Sequence, residues 1–149
     1  MGPKHAAGDV TLREALERSR NRKAPAFSSD AASPKAREFF HCHDVAHLVF
    51  GCDTSLLGEG TLKIFTLFGT TLSFRDHFAG YAAADATGLF TNYSALHVAS
   101  NVPRLLVRFP QTIVRARRMS KPWPWRAHDR YLDATLSEIR SEFNIMVFD

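Results

Sequence analysis

Three observations predict an all-α fold, a single-domain helical bundle with a metal-binding helix hairpin. Apolar residues recur near the 3.6-residue spacing in several segments, and helix caps and stops (Ser33-Pro34, Gly51, Gly69) punctuate those segments. No stretch shows the two-residue alternation and turn of a strand hairpin, and no internal repeat is visible. At 149 residues the chain suits one domain and buries enough surface to fold without a disulfide or structural metal. Its 45% hydrophobic and 23% charged residues exclude a disordered or fibrous class.

A first helix is expected over residues 12–21, capped by Asp9 or Thr11. Glu14 lies in its first turn and Arg18, Arg20 and Arg22 lie toward its end, as the helix dipole favours. Residues 24–34, rich in Ser, Ala and Pro, read as a flexible linker, so 1–34 form a short helix plus linker and 35–149 the main helical domain. Ser33 and Pro34 are an N-cap and first-turn proline, and Phe39, Phe40, Asp44, Ala46, His47, Leu48 and Phe50 continue a helix to Gly51. Asp53, Thr54 or Ser55 caps the next helix, in which Leu56, Leu57, Thr61, Ile64, Phe65 and Phe68 recur before Gly69. The pair makes an αα-hairpin. Residues 70–101 read as helix, and a further helix is expected after Pro103, bent or restarted at Pro110. Residues 121–126, with Pro122 and Pro124 between tryptophans, cannot be regular helix. A last helix starts near Asp129, with Tyr131, Leu132, Leu136, Ile139 and Phe143 on one face.

Two cysteines, Cys42 and Cys52, do not make a secreted disulfide framework, and thiols in a reducing intracellular compartment are expected. The first residues lack the apolar run of a signal peptide. The longest stretch free of Asp, Glu, Lys and Arg, 86–103, carries Asn92, Tyr93, His97 and Asn101, which argues against a transmembrane helix.

The sharpest chemical feature is His43, Asp44 and His47, followed after eleven residues by Glu59. On a helix His43 and His47 lie one turn apart and Asp44 is i−3 from His47, so the three can converge, with Glu59 closing the site from the next helix. Imidazoles and carboxylates in this set suit a divalent cation, zinc, iron or manganese. The same residue types also make ordinary solvated helix faces, and spacing alone does not decide between the two. The surroundings favour a site: Phe39, Phe40, Val45, Leu48 and Phe50 bracket the first motif, and Leu56, Leu57 and Leu62 bracket Glu59, where an unpaired charge is costly. Gly58 and Gly60 each weaken a helix by roughly 1 kcal/mol relative to Ala, and a close approach to the backbone is one reason to keep them. His41 points to another side of the helix. His77, His97 and His128 have no carboxylate at ligand spacing and are expected to be ordinary.

The segment HDVAHLVFGCDTSLLGE, His43 to Glu59, resembles the coenzyme Q biosynthesis protein 4 family, whose mark is H-D-x-x-H, eleven residues, then E. A basic helix around Arg115–Arg118 and the tail LSEIRSEFNI, Leu136 to Ile145, are similar too, so the likeness runs roughly from Glu38 to Ile145. Gly60, where that family tends to carry Leu, and the middle of the chain depart from the pattern. The resemblance implies that 35–149 is a helical domain of that type, with His43, Asp44, His47 and Glu59 as metal ligands and catalytic residues. Zn²⁺ is the first expectation for the cofactor, with Fe²⁺ or Mn²⁺ as alternatives. It implies action on the head group of a polyprenylated quinone precursor or other isoprenoid lipid, by oxidative C1 decarboxylation and hydroxylation in ubiquinone biosynthesis. It also implies a groove for the isoprenoid tail, peripheral attachment to the cytoplasmic face of a bacterial inner membrane or the matrix face of the mitochondrial one, other quinone-biosynthesis enzymes as partners, and a homodimer. The alternative is a non-catalytic prenyl-lipid-binding scaffold. An H-D phosphohydrolase would need a separate upstream His and a downstream Asp ligand.

Net charge is +4, and between Arg104 and Arg130 eight basic residues meet only Asp129. With Trp123 and Trp125 inside it, this segment reads either as a surface for anionic lipid or as a solvated helix beside two core tryptophans. Nucleic acid is not expected, since no recognition motif accompanies the charge. Phe65, Leu67, Phe68, Leu72, Phe74, Leu105, Leu106 and Phe109 are candidates to line a tunnel between helices.

Overall fold

The computed structural model describes residues 9–22, 33–83 and 94–148. It is all-α: six α-helices and a short 3₁₀ turn, with two isolated bridges in place of any strand among the described residues. The helices are α1 (Leu12–Arg22), α2 (Pro34–Phe50), α3 (Leu56–Gly69), α4 (Phe74–Ala83), α5 (Ala95–Arg117) and α6 (Leu136–Phe143), with the 3₁₀ turn at His128–Tyr131. The expected linker at 24–34 and the residues 84–93 fall largely outside the described residues.

Local chemistry sets the hairpin that carries the site. Ser33 accepts a hydrogen bond from the Ala36 amide with Pro34 behind it, and α2 runs until Gly51 turns left-handed at φ 64°. Gly51 is a position where a side chain is strained twice over, because an added Cβ would also sit 3.0 Å from Val147. Ser55 is the cap of α3, accepting from the Gly58 amide, while Asp53 accepts from the Ser55 amide and hydroxyl. Arg140 closes the other end of α2, donating from Nε to the Val49 carbonyl at 3.0 Å and from Nη2 to Leu48 at 2.8 Å.

The core combines α1, α2, α3, α6 and the segment before α6. Phe50 stacks on Phe65 at 4.7 Å, and Trp123, Tyr131 and Phe143 form a second aromatic group with centroids 5.1 to 5.3 Å apart. Helix α1 is part of this body: Leu12, Ala15 and Leu16 are buried, and backbone bonds tie Leu12 and Arg13 to Ala134 and Leu132. Helix α3 lies along α5, where Gly60 faces Phe109 and Leu105 and Gly69 faces Met119.

Several expectations change. Helix α5 starts at Ala95, capped by Ser94, and runs unbroken through Pro103 and Pro110. Both prolines are exposed, so the hydrogen bonds they forgo are on the side where water can serve the freed carbonyls. The last α-helix begins at Leu136, where Thr135 and Glu138 form a capping box, and Tyr131 and Leu132 precede it. Trp123 and Trp125 are buried, 0% and 2% exposed, and so are no part of a lipid-facing surface. The Trp123 backbone bridges Gly69 and Thr71, which pins the proline-rich segment onto the end of α3. The proposed tunnel residues do not share a wall: Phe65 and Leu72 are core, while Phe68, Phe74 and Leu106 are exposed. No helix among the described residues is long and apolar enough to cross a membrane.

Candidate metal centre

His43, His47 and Glu59 converge between α2 and α3, each side chain about nine-tenths buried. The i,i+4 spacing stacks the two imidazoles one turn apart, edge to face at 4.7 Å. Glu59 sits in the first turn of α3 and lies across from them. Its Oε1 is 3.0 Å from His47 Nε2, and its Oε2 is 3.4 Å from His43 Nε2. One ligand atom from each residue lies within 4.8 Å of the others, a set that can hold a metal ion.

The glycines beside Glu59 have structural reasons. A Cβ on Gly58 would fall 2.0 Å from the Asp53 carboxylate and 2.2 Å from its carbonyl, and one on Gly60 would meet Phe109 at 3.0 Å. They let the turn before α3 and the neighbouring α5 approach closely enough to set Glu59 opposite the histidines. Phe39 stacks on the far side of the His43 ring, and Phe40 meets it edge-on, so this face is walled by hydrocarbon.

Hydrogen bonding fixes the ring of His47. Its Nδ1 lies 2.9 Å from the Cys52 carbonyl, which can only accept, so Nδ1 carries a proton and Nε2 is aimed at the carboxylate. A backbone carbonyl holding the outer imidazole nitrogen is the support that metal-binding histidines usually have. Burial disfavours the charged forms of both partners. For His47 it is outweighed by the hydrogen bond and charge of Glu59 and by the Cys52 carbonyl, so its pKa is raised. For Glu59, burial is outweighed by hydrogen bonds from both histidines and their charge, and the carboxyl is held down at about 2. Both ring nitrogens of His47 face acceptors, the Cys52 carbonyl and the Glu59 carboxylate, so a cation entering the cluster competes with a proton at Nε2.

Asp44 is outside this group. It is half-buried, and its charge acts through space on His47 and His41. Successive residues on a helix point about 100° apart, so with His43 and His47 stacked on one line the short Asp44 side chain is carried off it. Two further residues adjoin the site. Lys63, one turn on from Glu59, is half-buried, with burial lowering its pKa and Glu59 opposing that. His77 on α4 is 3% exposed, and burial, then the charges of Lys63 and His43, push it down to about 4. The i,i+4 spacing of Glu59 and Lys63 was a usable signal for the first; His77 is brought in by tertiary packing and had none.

The thiols are inert by the same reasoning. Burial raises Cys42 to about 11 and Cys52 to about 12. No family model, no curated protein and no solved structure matches the chain.

Proposed function

We propose that this chain is a metal-dependent protein of ubiquinone biosynthesis, similar to the coenzyme Q biosynthesis protein 4 family, acting on the head group of a polyprenylated quinone precursor. The observation that carries the reading is the burial of His43, His47 and Glu59 around one point, in the spacing that marks that family. Two neutral imidazoles and one carboxylate leave a divalent ion with one net positive charge and fewer than its full set of ligands. That balance suits an anionic ligand such as a ring carboxylate or phenolate. When bound, the ion would supply Lewis acidity, and if it is Fe²⁺ also oxygen chemistry; Zn²⁺ supplies only the first. Lys63 offers a second cation beside the triad for the same anion, and the Phe39 and Phe40 rings keep water from that side. His77, neutral near pH 7, is a hydrogen-bonding group within reach of the same charges.

Membrane attachment is assigned to α5 in place of the buried tryptophans. Leu96, Val102, Leu106, Val107 and Val114 are exposed along its outer side, and the helix contains no acidic residue. Arg104, Arg117 and Arg118 are exposed beside this stripe, while Arg108 and Arg115 turn inward onto the Phe148 ring; an apolar face with exposed arginines favours an anionic lipid interface. The experiment is turnover of a prenylated hydroxybenzoate precursor by the purified protein in anionic vesicles. His47→Ala is expected to abolish product while leaving vesicle binding intact. Product formation unchanged in His47→Ala would overturn the enzymatic reading, and vesicle binding by both proteins with no turnover by either would favour the scaffold.

A further inference from the structure

The geometry points to a second transition-metal site, formed by His41, His128 and Asp129 on the side of α2 away from the triad. It does not depend on the functional reading above. His41 precedes His43 by two residues, about 200° around the helix, so it faces the segment before α6 while His43 faces α3. There His41 Nε2 meets His128 Nε2 at 3.3 Å, with ring centroids 5.1 Å apart. His128 is 3% exposed, and its Nδ1 lies 3.0 Å from the Trp125 carbonyl, which must accept. Nδ1 therefore carries a proton, and in the neutral ring Nε2 is left as the lone-pair nitrogen that can bind a metal. Two imidazole nitrogens 3.3 Å apart, each about 2.05 Å from one ion, subtend about 107°, close to tetrahedral. Unlike the triad, these residues do not bring three ligand atoms within 4.8 Å of one another; the Asp129 Oδ1 is 3.8 Å from His128 Nε2 and its side chain is 81% exposed, so a third ligand requires it to swing in. Water completes the shell. Imidazole with carboxylate selects a borderline first-row dication such as Zn²⁺, Ni²⁺ or Co²⁺ over Mg²⁺ or Ca²⁺.

Without an ion, the pair is a hydrogen-bonded relay. The Arg20 guanidinium, 3.3 Å away, can only donate to His41 Nδ1, so His41 Nε2–H donates to His128. An ion bound at both Nε2 atoms requires His41 to move its proton to Nδ1, and Arg20 must then withdraw. Arg20 thus opposes metal at this site, and removing it is expected to tighten binding several-fold.

Equilibrium dialysis of the full chain against Zn²⁺, with bound metal counted by elemental analysis, tests this. Two ions are expected in the wild type, one in His41→Gln, one in His128→Gln and one in Glu59→Gln, with Arg20→Gln binding its second ion more tightly. His128 is buried and its variant can unfold, so the half-exposed His41→Gln, checked by circular dichroism, decides. Equal zinc in His41→Gln and wild type would overturn the second site. So would a single wild-type ion that Glu59→Gln removes, a result that leaves the triad standing. A single ion that His41→Gln removes would support the second site and overturn the triad.

Discussion

Replacing Glu59 with Gln keeps its shape and removes the charge on which the buried cluster depends. Its carboxyl is held at about 2 against an ordinary 4.5, and at about 1.4 kcal/mol per pH unit this corresponds to an upper figure of roughly 3 kcal/mol. Breaking a buried pair costs about 3–5 kcal/mol, and the Gln amide can keep one imidazole contact, so about 2–3 kcal/mol is expected. For a chain of this size that is roughly 5–10 °C in Tm. The pH dependence identifies the cause. The depressed carboxyl stabilises the fold fully above about pH 4.5, and that stability is lost as pH falls toward about 2. The raised His47 contributes below its ordinary 6.5 and loses its contribution as pH rises through its folded value. In chelator, the gap between wild type and Glu59→Gln in urea denaturation should therefore be widest between about pH 4.5 and 6.5 and fall to less than half by pH 3. A gap that stays constant from pH 3 to 6, or no gap at pH 5.5, would refute the convergence of these three side chains.

Other perturbations test the supports of the site. Gly58→Ala should destabilise by about 2 kcal/mol or more, since its Cβ would overlap the Asp53 backbone, and should weaken metal binding by displacing Glu59; calorimetry and zinc titration check both. Arg140→Ala should cost about 2 kcal/mol in denaturant unfolding, because it uncaps the Val49 and Leu48 carbonyls, and Arg140→Lys should recover only part of this because one donor replaces a fork. Leu106→Asp, at a residue 70% exposed, should leave Tm within about 1 °C while lowering binding to anionic vesicles in sedimentation assays; unchanged binding would remove α5 from the lipid-facing surface.

The α2–α3 hairpin was legible in the sequence because everything that sets it is local: Ser33-Pro34 starts it, Gly51 turns it, Ser55 restarts it, and the i,i+4 spacing aligns the imidazoles. Glu59 was legible for the same reason, as its distance from His47 fits one turn of chain between two packed helices. Asp44 lies outside the converging group because successive side chains on a helix diverge by about 100°, which carries it off the line shared by His43 and His47. The histidines at 77 and 128 looked ordinary because their partners lie far along the chain: Lys63 and His43 for one, His41 and the Trp125 carbonyl for the other. The tryptophans were ambiguous by composition, and only the bridging of Trp123 to Gly69 and Thr71 shows them to be core. Proline as a helix breaker failed at Pro103 and Pro110, where exposure on α5 removes most of the cost.

The central claim, that His43, His47 and Glu59 hold a divalent metal, is tested most directly by anomalous diffraction from crystals of the full chain grown with Zn²⁺. An anomalous peak is expected about 2.0–2.2 Å from His43 Nε2, His47 Nε2 and a Glu59 carboxylate oxygen, absent in His47→Ala. Crystals with zinc bound elsewhere and no peak between α2 and α3 would contradict it.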